Sequence, residues 1–207
     1  MLANLLITGF GPFRGVETNS SELVVRELRN MTAEKHGFRL QARILPVVYE
    51  TASATVCKAI DSTNPAIFIM TGVSNTAKEL QLERVARNLD CSESCDNHET
   101  VRKNHRIVEE GPDRYSIDLP LDEYANALTE QGIPSRVSND AGGFVCNHCY
   151  YRACHHVATF SVDCICLFVH VPDLVSGDHA LNQSRILTVS SAANGILMLA
   201  QCIAQIN

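Results

Sequence analysis

At 207 residues, 45% of them hydrophobic and 19% charged, the chain is long enough to bury a full core and has an ordinary water-facing balance. Its formal net charge of −6 argues against nucleic acid or an anionic membrane as the main partner, and no apolar run is long enough to span a bilayer. Nine cysteines without an N-terminal signal pattern point to free thiols in a reducing cytoplasm and away from a secreted disulfide framework.

Residues 4–8 form an apolar run ending at Gly9, which reads as a buried parallel strand. A loop from Gly9 to Gly15 follows and contains Phe10 and Phe13. Asn19, with Glu22 three residues on, predicts the cap of a helix running to about Arg29. A glycine-rich loop between a first strand and a first helix invites a nucleotide, but the details disagree. Arg14 stands where the third glycine of G-x-G-x-x-G belongs, Pro12 removes an N–H that would face phosphate, and no G-K-[ST] follows. Two phenylalanines in that loop suit an apolar ligand, or else pack into the core under the sheet.

A second strand fits Leu40 to Val47, a helix fits Thr51 to Ile60, and a third strand runs from Ala66 to Thr71 and ends at Gly72. Strand, helix, strand, helix, strand at this spacing gives one doubly wound α/β domain over residues 1–207. It is a three-layer α/β/α sandwich with a central, mostly parallel twisted sheet. Ligands bind such sheets beyond the carboxyl ends of the strands, so Gly9 and Gly72 are expected to open loops on one rim. Leu80 to Asn88 alternates like another extended segment and carries Glu83; a lone glutamate in a strand usually faces water. Residues 89–118 are polar and irregular, as a functional loop or lid would be. A helix fits 121–131 with Gly132 at its end, and a short strand leads into Ser138. Residues 163–171 read as a buried strand with His170 at its carboxyl end and Pro172 after it. From about 181 to 205, Leu181, Ile186, Val189, Ala193, Ile196, Leu197, Ala200 and Ile203 recur at helical spacing.

The chemistry gathers at Ser138 to Tyr151, where a turn with two adjacent glycines gives way to Phe144, Val145 and Cys146 and then to helix-forming residues. A cysteine at a helix start meets free N–H groups and the positive end of the dipole, which favour a thiolate nucleophile and can hold a developing oxyanion. The alternative is a buried structural cysteine. Of the eight histidines, His170 is the best general base, because it ends a hydrophobic strand on the rim where the loops gather; its alternative is a core histidine bonded to a backbone carbonyl. Cys146, His170 and one carboxylate would complete a nucleophile, base and orienter, and sequence order does not choose the acid. Two rival readings use Cys146-Asn-His-Cys149, as a redox dithiol or, with Cys91, Cys95, Cys154, His155 and His156, as part of a zinc site. Neither has a convincing second half: Cys91 and Cys95 are loosely spaced and the downstream cysteines lie within a strand. A serine nucleophile is weaker still, since Gly72-Val-Ser74-Asn-Thr76 lacks the closing glycine of the elbow.

Taken together, these residues resemble the pyroglutamyl peptidase I (pyrrolidone-carboxylate peptidase) family of cysteine peptidases, over nearly the whole chain. Thr8-Gly-Phe-Gly-Pro-Phe13 with Asn19 and Ser21 is similar to the family's G-F-x-P-F…N-x-S, and Leu82-Glu-Arg-Val-Ala-Arg-Asn88 to its L-E-R-V-A-x-N. Ser138 to Tyr151 is similar to its S-x-x-A-G-x-x-x-C-N, and Phe168-Val-His-Val-Pro172 to its F-x-H-x-P. The resemblance implies that Cys146 is the nucleophile, His170 the base and Glu83 the residue that orients the imidazole. It implies that Phe10 and Phe13 line the slot for a pyroglutamyl ring, with Val73, Phe144 and Val145 beside it. It further implies a cofactor-free, metal-free cytoplasmic exopeptidase acting on peptides with N-terminal pyroglutamate, with a homotetramer or homodimer among the family's assemblies. Bacterial members often carry Arg where this chain has Glu93, an apolar residue at Ser94 and Gln at Val73, positions that border the site in the family, so a member with altered specificity is a further reading.

Overall fold

The computed structural model describes residues 2–13, 15–174 and 187–205. Its main sheet contains β1 (Ala3–Phe10), β2 (Phe38–Leu45), β3 (Ile67–Ser74), β4 (Leu80–Glu83), β7 (Ser135–Ser138) and β8 (Ile165–Pro172) in the order β2-β1-β3-β8-β4-β7. Every neighbouring pair is parallel except β4 with β8. A separate antiparallel ladder joins β5 (Val85–Arg87) to β6 (Arg114–Ser116). The helices are α1 (Ser20–Asn30), α2 (Tyr49–Thr63), α3 (Leu121–Glu130), α4 (Val145–Phe160) and α5 (Val189–Ala204).

Strand side chains alternate between faces, so the continuous apolar runs fill two cores at once. Leu5, Ile7, Ile67, Ile69, Leu167 and Val169 meet α1, α3 and α5, while Leu6, Phe68, Met70 and Phe168 meet α2 and α4. Gln81, Glu83 and His170 share the face of Phe168 by register and period, so these three polar residues look toward α2 and α4. Among the described residues no helix is long and apolar enough to cross a membrane.

Several expected boundaries move. Gly9 and Gly72 lie inside β1 and β3, because the pairing of β3 with β8 continues through Ser74 and Pro172. The segment 80–88 is two strands in different sheets: at Arg84 the N–H bonds Ser138 and the carbonyl accepts from Ile117, which transfers the chain from one ladder to the other. Asn19 caps α1 by accepting from Ser21 N, but Glu22 turns outward to Arg26 at 2.6 Å and does not close a capping box. Inside the irregular 89–118 stretch, β6 is regular. Arg14 and the first part of the last predicted helix, including Leu181 and Ile186, lie outside the described residues.

Gly9 lets α1 rest directly on β1. A Cβ added there would come within 2.5 Å of the Ser21 carbonyl oxygen and 2.8 Å of a Val25 methyl group. Gly9→Ala is therefore expected to cost about 1–3 kcal/mol as overpacking against backbone that has no room to yield. Urea unfolding checks this: the midpoint should fall with the slope unchanged.

Candidate active site

Cys146 is the second residue of α4, and the turn before it explains its position. Gly142 sits at φ 80°, in the left-handed region, and Gly143 is crossed so closely by the Cys91 backbone that a Cβ would collide with it. Cys91 N in turn donates to Gly143 O at 2.9 Å. Phe144 occupies the cap position without a side-chain hydrogen bond, so no side chain competes for the first N–H groups of the helix. Below the sulfur lies Gly72: a Cβ there would stand 2.8 Å from Cys146 Sγ, so the strand has to lack a side chain at this point. Cys146 itself is partly exposed, unlike a structural core cysteine.

His170 pairs in register with Gly72 on one side and Gln81 on the other, which sets the imidazole next to the sulfur. Its Nδ1 donates to Glu83 Oε1 at 2.7 Å, so its partner is a carboxylate and not a backbone carbonyl. Glu83 is 0% exposed, contrary to the expectation for a lone glutamate in a strand. The cause is topological, since β4 is inserted between β8 and β7 and both of its faces are covered. Burial works against the charged imidazole, but its interactions with the Cys146 thiol and the Glu83 carboxylate outweigh that, and the His170 pKa is pushed up to about 9. The structure thus brings Cys146, His170 and Glu83, remote in sequence, to one place.

Two spaces meet at Cys146. One is a small pocket lined by Phe10, Phe13, Val47, Val73, Phe144 and Val145, with Asn19 at its side. All five residues expected around an apolar slot are in it. Phe10 both lines this pocket and packs in the core under the sheet. The other space is an open cleft that adds His170, Gln81, Arg136, Ser138 and Asp140 and shares Val73, Phe144 and Cys146 with the pocket.

Residues that periodicity did not reveal hold this arrangement. Asn19 donates through Nδ2 to Gly11 O and accepts from Ser21, whose hydroxyl accepts from Phe10 N at 3.0 Å, so the Asn-x-Ser pair locks the phenylalanine loop. Asn97 donates to Pro12 O at 3.0 Å, and buried Asp96 accepts from Tyr49 N at the start of α2. Asn147 binds the Arg87 backbone twice and the Leu89 carbonyl once, fastening the irregular stretch to α4. The conventional signal for such anchors is an amide residue within an otherwise apolar or turn-rich segment, which is weak without a fold. Glu93 is exposed and paired with Lys103, and neither it nor Ser94 lines the pocket or the cleft; Val73 lines both. Cys149 is fully buried and its thiol is pushed well above the usual range, chiefly by burial, which deprives a Cys146–Cys149 dithiol of an accessible second thiolate.

A family model described as pyroglutamyl peptidase matches residues 3–202. A pyrrolidone-carboxylate peptidase of Yersinia pestis is 34% identical over 173 residues, covering 84% of this chain and 80% of that protein. One of Bacillus licheniformis is 34% identical over 170 residues, covering 82% and 78%. Among solved structures, pyroglutamyl peptidase I of Bacillus amyloliquefaciens has a TM-score of 0.88 at 27% identity over 98% of this chain and 97% of that one. Pyrrolidone carboxyl peptidase of Fervidobacterium islandicum has a TM-score of 0.85 at 27% identity over 98% and 99%.

The His170 charge is measurable directly. NMR titration of the imidazole should give a midpoint near 9, and Glu83→Gln should lower it by about 1–2 pH units by removing the opposing charge. Because the folded value lies above the ordinary 6.5, the stability that the pair contributes is complete below about pH 6.5 and is lost as the pH rises through about 9. A midpoint indifferent to Glu83→Gln would sever the two side chains electrostatically.

Proposed function

This chain belongs to the pyroglutamyl peptidase family, and from that premise and the geometry of the site we propose that it is a cysteine exopeptidase that removes N-terminal pyroglutamate from peptides through Cys146. The observation that carries the assignment of residues is the position of His170, held by buried Glu83 and facing the sulfur at the junction of pocket and cleft.

The pyroglutamyl ring enters the pocket formed by Phe10, Phe13, Val47, Val73, Phe144 and Val145. A peptide whose N-terminus is closed into a neutral lactam brings no charge into this slot. An ordinary ammonium terminus would have to shed its water there without a partner, and is rejected at a cost of several kcal/mol. Backbone groups serve the lactam's own N–H and C=O, while Asn19 is tied to Gly11 and Ser21.

With His170 charged at neutral pH, Cys146 reacts as the thiolate of an ion pair. The sulfur attacks the pyroglutamyl carbonyl, and the uncapped N–H groups at the start of α4 hold the oxyanion. Nδ1 is engaged by Glu83, so Nε2 delivers the proton to the departing amine. The pyroglutamyl thioester remains on Cys146 until the neutral imidazole takes a proton from water, which attacks the acyl carbon and releases pyroglutamate. Glu83 keeps the ring oriented and compensates its charge through both halves of the cycle. A reducing compartment such as the cytoplasm suits this chemistry, since no disulfide occurs among the described residues.

The test is hydrolysis of a fluorogenic pyroglutamyl amide. Cys146→Ala should lower kcat/KM at least about a thousandfold, whereas Cys149→Ala should retain turnover; the reverse pattern would indicate a dithiol or metal role. The pH profile should fall on its alkaline side with an apparent pKa near 9 as His170 loses its proton.

A further inference from the structure

The row of paired positions that begins under the nucleophile does not stop at the imidazole. Gly72 pairs with His170, His170 with Gln81 and Gln81 with Arg136, so one line of side chains crosses β3, β8, β4 and β7 to the edge of the sheet. The apolar pocket lies on the opposite side of Cys146, toward the β1 loop and Val47, and His170 lines only the cleft. If the acyl group occupies the pocket and its leaving amine must meet His170, the first residue after the pyroglutamate has one direction to take, along this row. Strands are spaced ~4.8 Å apart, which sets the Arg136 backbone ~10 Å from that of His170, a span that a leaving residue and a long side chain cover together.

Arg136 is half-exposed in that cleft and has a fixed stem. Its Nε binds Glu79 Oε1 at 3.2 Å, while its two terminal nitrogens have no hydrogen-bond partner among the described residues. The cleft's own carboxylate is not available to them: Asp140 is paired with Arg87 and also accepts from Gly142 N. Within the same cleft, Ser74, Thr76, Gln81 and Ser138 are polar and uncharged, and Val73, Ala141 and Phe144 are apolar. A guanidinium with its outer edge free of these partners presents two parallel donors, the arrangement that matches a carboxylate.

We infer that Arg136 is a specificity-determining residue of the leaving-group subsite and favours substrates with a carboxylate on the first residue after pyroglutamate. That carboxylate is either the C-terminus of a dipeptide or an acidic side chain. The inference rests on the peptidase reading of Cys146 and His170.

Two substrate pairs separate the sources: pyroglutamyl-alanine against its C-terminal amide, and pyroglutamyl-glutamate amide against pyroglutamyl-glutamine amide. In the wild type, the carboxylate member of at least one pair should have a kcat/KM about two- to fivefold higher at low salt, in keeping with a partly exposed ion pair. The ratio should shrink in high salt. Arg136→Gln should bring it to about one, and Arg136→Lys should restore part of it. Which pair shows the ratio identifies the carboxylate. Equal rates within both pairs in the wild type, or a ratio that survives Arg136→Gln, overturns the inference. If the wild type turned over none of the four substrates, the peptidase reading itself would fail.

Discussion

The site depends on one buried contact, the 2.7 Å hydrogen bond between His170 and Glu83. A carboxylate with no exposed surface is expensive to bury as an anion unless a charge opposes it, and Glu83 Oε2 has no hydrogen-bond partner among the described residues. The imidazolium is that opposing charge, and it can persist in a dry place for the same reason. The carboxylate thereby supports the charge on the ring, and the sulfur stands beside a cation. The backbone of Glu83 is in turn held by Tyr150 of α4, whose hydroxyl donates to its carbonyl at 2.8 Å. The helix that carries Cys146 therefore also positions the strand that carries Glu83.

A second buried network braces the pocket from beneath without touching the reacting atoms. His148 Nδ1 donates to Asp90 at 2.8 Å, and Arg102 reaches both Asp90 and Glu50 while its guanidinium lies 4.5 Å from the centre of the Tyr49 ring. Tyr49 meets Phe144 edge-on at 5.5 Å, so these charges end at a wall of the pocket. Such a network adds little to stability compared with apolar residues of equal volume, because desolvation offsets the attraction. What it supplies is geometry: it ties the irregular stretch after β5 to the starts of α2 and α4, the elements that set the pocket walls and the sulfur.

How much of this is legible in the sequence depends on whether the cause is local. Cys146 at a loop-to-helix junction and His170 at the end of an apolar strand are local patterns, and the structure keeps both. The two-core sheet follows equally from strands that are apolar on both faces. Glu83 is different: nothing in its neighbours separates a buried acid from a solvated one, and only the resemblance to a family selected it. Its burial arises from β4 lying between two strands that come dozens of residues later. Asp96, Asn97 and Asn147 were unreadable for the same reason, as their partners are backbone groups of Tyr49, Pro12, Arg87 and Leu89 brought near by the fold. The strand boundaries at Gly9 and Gly72 failed in a different way. A glycine reads as a place where a strand stops, whereas here it marks where something else, a helix or a sulfur, comes close.

The reversed direction of β4 has a chemical reason. β1, β2, β3 and β8 run toward the reactive rim while β4 and its neighbour β7 run away from it, and a parallel strand beside β8 would bring its rim residues up from the interior and end there. Running antiparallel, β4 enters from the rim instead: Gln81 stands level with His170, and Glu83, two residues on, is level with Phe168, one pleat deeper on the same face. The imidazole consequently has its carboxylate partner below it, sealed from water, and a neutral amide beside it lining the cleft. This separation keeps the carboxylate on the ring and out of the cleft, which Gln81 and Arg136 line. One strand of four residues thus supplies both the buried partner of the imidazole and the amide level with it.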